Sequence, residues 1–566
     1  MFGLGEKRAK DASPSARVPA EREAGRIAGL MQDSPINLIA VLQHAAVAHR
    51  DQIMVSALPE GVRHRQTYGE TYARTMRLAN ALKRIGMRPG DRVATLAWNT
   101  HRHVEAWYAI SGQGAICHTL NPRLAPEQLA FIMNHAEDRV LMTDAMFAPL
   151  VQKLAPSLPS LERVVVFTDR AHMPEGSDWL CYEDLLAAEQ PAFDWPSFPE
   201  ETASSLCYTS GTTGDPKGVL YSHRSNLLQA YAIGGKDALN LGLRDTALMI
   251  VPMFHANAWG LVYGGPMMGA KLVLPGAALD GASVHALIKE EKVTNSAAVP
   301  TVWAMLLAHL DKEGGDLKPL KEVVIGGAAV PRAMIKTLRD KYGVTVAHGW
   351  GMTEMSPVGT VNRLAPKHVD LDPEAQLDIL AKQGRPLFGV EMKIVDEDGR
   401  ELPRDGEAAG HLLVRGPWIA KAYFRRDTSI LDAEGWFDTG DVATIDPDGI
   451  MQITDRAKDI IKSGGEWISS VDLENCAMGA PGVQLACAIG VAHPKWGERP
   501  ILLVVPKPSA KPEPDVVLAH LSSTCAKWQL PDDVIYVEAL PLTAAGKFDK
   551  KVLRAKYADH LAKAGR

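Results

Sequence analysis

Residues 323–347 read VVIGGAAVPRAMIKTLRDKYGVTVA. Val323 to Ile325 is a short apolar run that stops at two glycines and reads as a buried strand. Pro331 opens the next segment, Met334, Ile335, Leu338 and Tyr342 return at helical spacing, and Gly343 closes it. Proline at the start and glycine just past the end is the usual asymmetry of a helix. Val344 to Ala347 then reads as a second strand. A strand, a helix and a strand in succession call for a sheet covered by helices, which is an α/β arrangement. The chain upstream repeats this pattern. Ala247 to Val251 and Lys271 to Leu274 read as buried strands, Val302, Met305, Leu306 and Leu310 as one helix face, and Leu206 to Tyr208 as the end of a strand before a Gly/Thr loop.

The character changes near residue 390. Met392 to Val395, the turn Asp396-Glu397-Asp398-Gly399, and His411 to Val414 read as antiparallel β structure. Beyond Arg456 the reading is a small α+β unit. It has helices near Val471 to Met478 and Val516 to Lys527, strands at Ala486 to Val491 and Ile501 to Val505, and a surface loop from Pro506 to Pro514. The expected fold class is α/β: a large N-terminal domain of layered α/β subdomains plus a β subdomain, with a small mobile α+β C-terminal domain. The expected boundaries are a mobile N-terminal extension at 1–30, the large domain at 31–455, a hinge at 456–459 and a lid at 460–566.

Bulk properties exclude several classes. Of 566 residues, 46% are apolar and 23% charged, as in ordinary globular proteins. A net charge of −6 leaves no basic excess for nucleic acid. The six cysteines form no C-x-x-C pair, which suits reduced, cytoplasmic usage. No apolar run approaches the roughly 18 residues of a membrane span, and the N-terminus has no signal-peptide core.

The strongest chemical signal is Tyr208-Thr-Ser-Gly-Thr-Thr-Gly-Asp-Pro-Lys-Gly218. Its glycines let backbone N–H groups approach an anion. Its hydroxyls add neutral donors, and Lys217 adds a full charge. That set suits a polyphosphate, although G-x-x-x-x-G-K-[ST] is not satisfied.

This string resembles the phosphate loop of the adenylate-forming superfamily, which includes acyl-CoA synthetases, luciferases and peptide-synthetase adenylation domains. Further blocks of that family follow in order: Val251-Pro-Met-Phe-His-Ala-Asn-Ala-Trp259, Gly326-Gly-Ala-Ala329, His348-Gly-Trp-Gly-Met-Thr-Glu354, Gly435-Trp-Phe-Asp-Thr-Gly-Asp441, Asp455 to Trp467, and Pro541-Leu-Thr-Ala-Ala-Gly-Lys547. Within the superfamily the likeness is greatest to bacterial medium-chain fatty acyl-CoA synthetases, through His223-Arg224, Asn-Ala-Trp and Ser-Gly-Gly-Glu-Trp.

The resemblance implies an acid–CoA ligase that uses ATP, Mg2+ and CoA. It implies that Thr209, Ser210, Gly211, Thr212, Thr213, Gly214 and Lys217 hold the phosphates and that Thr209 and Glu354 hold magnesium. Gly327, Ala328, Trp350, Gly351 and Thr353 map to the adenine side, with Asp441 and Arg456 on the ribose. Lys547 is the implied catalytic cation, since a carboxylate attacking a phosphate brings two anions together. Lys458 maps to the hinge, and Lys462 to Trp467 to a loop that faces the thiol in a second pose. Phe548-Asp549 departs mildly from the basic or aliphatic residues usual after the lysine.

The implied acyl pocket contains His255, Trp259, Val302, Trp303, Ala328 and Met355. No Arg or Lys is among them, so a second carboxylate on the substrate is disfavoured. A medium-chain fatty acid is the leading expectation. An aryl-alkanoate or short thioalkanoate is the alternative, and Trp303 would stack on a ring as readily as pack against a chain. His255 reads as a catalytic gate or as a satisfied strand-end histidine. A carrier-protein acceptor and an inactive nucleotide-binding homologue are the competing functions. No nucleic-acid partner is expected, and the resemblance leaves a homodimer open.

Overall fold

The structure is a computed structural model that describes residues 29–209, 216–456, 458–463, 466–507, 512–523, 525–543 and 547–563. The segment that opened the sequence reading folds as strand Glu322–Gly326, helix Arg332–Lys336, a π turn Thr337–Lys341, and strand Thr345–Gly351. Pro331 is the residue before the helix rather than its first member. The helix widens because the Thr337 hydroxyl donates to the Ala333 carbonyl at 2.9 Å, competing with the backbone ladder.

Two large sheets carry the main body. In one, among the described residues, the strand order is Leu180–Cys181, Arg163–Val166, Val140–Thr143, Arg92–Leu96, Ile116–Thr119, Ala203–Thr209 and Lys217–Ser222. Its pairs are parallel until the last, where Ala203–Thr209 and Lys217–Ser222 form an antiparallel hairpin. The other runs Arg385–Pro386, Val358–Asn362, Thr345–Gly351, Glu322–Gly326, Asn295–Ala298, Thr246–Met249, Lys271–Leu274, Ile53–Ala57 and Arg63–Thr67. It is parallel at its centre and antiparallel at both edges. An apolar cluster with Trp107, Tyr108 and Tyr263 takes side chains from both sheets, including Val93, Met142, Leu272 and Val324. A second cluster, with Trp303, Leu306, Ile335 and Leu338, covers the other face of the longer sheet.

The expected β subdomain is present. Glu391–Val395, Gly410–Arg415, Phe437–Ile445 and Met451–Arg456 form an antiparallel sheet in that order. The lid has its own sheet of Glu466–Ile468, Ile461–Ser463, Gly497–Pro506 and Val483–His493, with Asp533–Tyr536 added parallel to Gly497–Pro506. No described sheet crosses residues 456–459. By internal contacts the chain forms two units, Met1–Pro35 and Ile36–Arg566. The expected extension 1–30 lies outside the described residues apart from its last two. No described helix is long and apolar enough to cross a membrane.

Two readings of the lid need correction. The helix expected to Lys527 spans only Pro514–Leu521. The hydroxyls of Ser522 and Ser523 donate to the carbonyls of Ala519 and His520 at 2.8 and 2.7 Å and end it there. Residues 462–467, expected as a loop, are mostly hairpin: Ile461 pairs with Ile468 and Lys462 with Trp467, because both isoleucines enter the lid core.

Leu306→Ala removes a fully buried side chain from the second cluster. It should destabilise the protein by about 2–5 kcal/mol, read as a lower denaturant midpoint without loss of helical circular dichroism.

Candidate active site

The ends of the parallel strands gather the expected residues, as they do in open α/β sheets generally. Thr209 and Lys217 lie directly opposite each other across the hairpin. Ser210, Gly211, Thr212, Thr213 and Gly214 lie outside the described residues. The Lys217 ammonium sits 4.9 Å from the centre of the Tyr423 ring, and the Tyr423 hydroxyl donates to Glu354 Oε1 at 2.8 Å. Burial and then the Glu354 charge push the Tyr423 phenol upward, which keeps it a donor. Tyr221 donates to the Thr353 carbonyl at 2.7 Å and fixes the backbone beside Glu354.

Glu354 is 6% exposed. No ion pair reaches it among the described residues. A buried carboxylate in that state favours a cation. Magnesium takes one or two protein oxygens and completes its shell with phosphates and water, and Glu354 with the Thr209 hydroxyl supplies oxygen of the right kind. The residues present therefore fit the metal. Among the described residues no group of three His, Cys, Asp or Glu side chains is placed to hold an ion by itself.

Asp441 is 1% exposed and fully engaged. Trp350 Nε1 donates to Oδ2 at 3.0 Å, and Arg456 Nε pairs with Oδ1 at 2.7 Å. Burial raises the carboxyl's pKa, while Arg456, the Trp350 hydrogen bond and Lys547 oppose that rise. Trp350 thus orients the expected ribose aspartate. Gly351 is a close approach: a Cβ there would lie 2.1 Å from the Pro357 carbonyl oxygen.

Lys547 precedes helix Lys550–Tyr557, and its carbonyl accepts from the Thr543 N–H at 2.7 Å. Its pKa is pushed down to about 8, first by removal from water and then by Arg456, while Asp441 and Glu354 hold it up. By surface area the residue is exposed, and its charge is coupled to both carboxylates. His255 is also within its field. Lys547, Glu354, Asp441, Arg456 and His255 therefore share one electrostatic neighbourhood. Lys458 belongs to it, and Lys462 sits on the lid hairpin, exposed. The Trp467 side chain lies outside the described atoms.

The expected acyl wall is built on an unusual turn. Ala256, Asn257, Ala258 and Trp259 all have positive φ, at 36°, 58°, 51° and 53°, before Gly260 at 82°. Each non-glycine residue held there costs roughly 1–2 kcal/mol. The Trp259 indole reaches the main chain at Gly326 and Gly327, where added Cβ atoms would lie 3.4 and 3.6 Å from it. Val299 closes the other side of Gly327, and Ala328 is exposed beside it. His255 is half-buried, its pKa is driven down to about 4 chiefly by loss of hydration, and its Nε2 has no hydrogen-bond partner among the described residues. It is thus a neutral imidazole. Met355 packs with Trp350 against Gly359. Val302 and Trp303 are placed in the helix–sheet core.

Sequence reasoning missed Tyr423, which bridges Lys217 and Glu354, and Asn257, Asn226 and Ser205, which brace the turn. Nothing in the spacing of Ala422-Tyr423-Phe424 distinguishes it from a surface aromatic pair.

Comparison with known proteins agrees with this geometry. The AMP-binding enzyme family matches residues 42–424, and the AMP-binding enzyme C-terminal domain matches 472–547. A 3-methylmercaptopropionyl-CoA ligase of Ruegeria lacuscaerulensis is 49% identical, covering 94% of this chain and 99% of its own. A medium-chain-fatty-acid–CoA ligase of Ectopseudomonas oleovorans is 47% identical, covering 94% and 98%. A crystal structure of the anthranilate CoA ligase AuaEII with anthranoyl-AMP superposes with a TM-score of 0.83 at 27% identity, covering 94% and 99%.

Asp441 supports the charge on Lys547, so Asp441→Asn should move the amine's titration further below about 8. The rate of modification by an amine-directed reagent, followed against pH, reads that shift. An unchanged or raised midpoint would contradict the assignment.

Proposed function

This chain belongs to the AMP-binding enzyme family, and from that premise we propose that it is an ATP-dependent acid–CoA ligase. A carboxylate oxygen attacks the α-phosphorus of ATP, the bond to pyrophosphate breaks, and an acyl-adenylate forms. The sulfur of CoA then attacks the acyl carbon, the thiol proton passes to solvent, and AMP leaves. The observation that carries this reading is the placing of Lys547 in one electrostatic neighbourhood with Asp441 and Glu354. A cation there offsets the meeting of two anions, and one such donor is worth about 10² to 10³ in rate.

In this scheme Asp441, oriented by Trp350 and Arg456, takes the ribose hydroxyls, and Lys217 takes phosphate charge. Glu354 and Thr209 would hold Mg2+, which when bound neutralises phosphate charge. The neutral His255 and the Trp259 indole exclude water from the acyl side. Lid rotation at residues 456–459, with Lys458 as pivot, would replace Lys547 by the Lys462–Trp467 hairpin before the thiol step.

The substrate we favour is a medium-chain fatty acid, on the strength of the apolar Trp259 and Val299 side chains beside Gly327 and of the 47% identical relative. A short thioalkanoate is the second reading, favoured by the 49% identical one. AMP formation with ATP, CoA and a panel of acids from acetate to palmitate, with 3-methylmercaptopropionate and phenylalkanoates, separates the two. Lys547→Ala should lose about 10² to 10³ in acyl-adenylate formation. If no acid supports AMP formation, the ligase reading fails.

The pH profile has a definite sign. Lys547 acts protonated, so raising pH through about 8 removes the charge from the free enzyme. kcat/KM for ATP, which reports the free enzyme, should fall above that point. Bound ATP is anionic and holds the proton on, so kcat should fall only at higher pH. A kcat/KM rising through pH 9 would exclude Lys547 as the cation.

A further inference from the structure

We infer that Asn257 is a positioning residue that clamps the left-handed turn 256–260 and thereby sets which acids the site accepts. This rests on the acid–CoA ligase reading above and concerns its acyl wall.

A turn of four consecutive non-glycine residues at positive φ does not hold itself. Asparagine visits this region more readily than most residues, but alanine and tryptophan do not. The hold comes from the Asn257 side chain, which is 2% exposed and uses both ends of its amide. Oδ1 accepts from the Ser205 hydroxyl at 3.0 Å, and Nδ2 donates to Asn226 Oδ1 at 2.8 Å. Asn226 is fixed in turn, with its Nδ2 donating to Ser204 and Ser205 at 3.0 and 3.1 Å. Ser204 donates onward to the Tyr221 carbonyl at 3.2 Å. All four side chains are buried, so removing one amide leaves polar groups with no water to replace it.

The network ties three elements together. Ser204 and Ser205 lie on strand Ala203–Thr209, Asn226 on helix His223–Gly234, and Asn257 on the turn. Gln229 of the same helix reaches the Trp259 carbonyl at 3.5 Å. Two residues beyond the clamp, the Trp259 indole seats on Gly326 and Gly327. Holding Asn257 therefore holds the indole, and with it the depth of the acyl wall. The described groups assigned to nucleotide, namely Lys217, Glu354, Trp350 and Asp441, make no hydrogen bond to Asn257.

The test is acid-dependent ATP–pyrophosphate exchange in the full-length wild type, Asn257→Ala, Asn257→Gly and Ser205→Ala, over acids of increasing length. Asn257→Ala should lose about tenfold in kcat/KM for the preferred acid, mainly through KM for that acid. The length profile should flatten, with KM for ATP held within about twofold. Asn257→Gly suits the left-handed backbone but lacks the amide. It should fail in the same way, because the clamp and not the φ angle is what matters. Should Asn257→Ala yield no folded protein, Ser205→Ala carries the same expectation in weaker form. An unchanged length profile in these variants overturns the inference. So does a parallel rise of KM for ATP with a lower melting temperature, which would mark a merely structural role. Wild type without acid-dependent exchange would instead sink the ligase reading itself, and the inference with it.

Discussion

The Asp441 carboxylate is removed from water where separate parts of the chain meet, and the site depends on how that charge is compensated. Trp350 comes from the end of a strand in the longest sheet, Arg456 from the last strand of the β subdomain, and Lys547 from the lid. An unpaired buried carboxylate is expensive. Two bonds and one nearby ammonium make this one tolerable, and its raised pKa shows that the compensation is incomplete. The arrangement relates sheet, subdomain and lid to one another, so the geometry of the reacting groups is a by-product of satisfying one buried charge.

The same neighbourhood is not at rest. After loss of hydration, the Arg456 charge lowers the pKa of both Lys458 and Lys547, while Asp441 and Glu354 hold that of Lys547 up. An anionic ligand relieves that repulsion and supplies the missing counter-charge to Lys547. In the ligase reading proposed above, binding of a polyphosphate and protonation of the lysine would be linked, so that a residue with a pKa of about 8 in the free protein would serve as a full cation when occupied. Tyr423 plays the matching part for Glu354. It donates a neutral hydrogen bond that orients the carboxylate without consuming its charge.

Much of this was legible in the sequence, and the rest was hidden for identifiable reasons. Residues 323–347 announced strand, helix and strand because proline, glycine and a helical repeat of apolar residues act locally. The strings that carry the proposed phosphate loop, Glu354, Asp441 and Lys547 stood out in the sequence because chemistry clusters residue types in short runs. Tyr423 was not, because its partner is 69 positions away and nothing near it marks the contact. The pairing of Ile53–Ala57 with Lys271–Leu274 likewise joins elements that no local pattern connects. Residues 462–467 were expected as a loop because the family resemblance implies one there, whereas the burial of Ile461 and Ile468 that pairs them is set only by the folded lid.

The left-handed turn at 256–260 is the clearest case of structure overriding local preference. Ala-Asn-Ala-Trp-Gly contains one residue at ease with positive φ and one glycine, so its backbone propensity argues for an ordinary turn. Tertiary hydrogen bonding imposes the opposite hand, through a buried amide that reaches two elements already fixed by the sheet. Strain of this kind is retained only where the alternative is worse. Relaxing the turn would strand buried hydroxyl and amide groups and withdraw Trp259 from Gly326 and Gly327. The two glycines have backbone reasons of their own: a side chain at Gly326 would meet the Gly349 carbonyl oxygen at 2.5 Å, and Gly327 sits at a φ of 79°. The turn, and with it the place of the Trp259 indole, is thus specified by a buried amide that ties it to a strand and a helix.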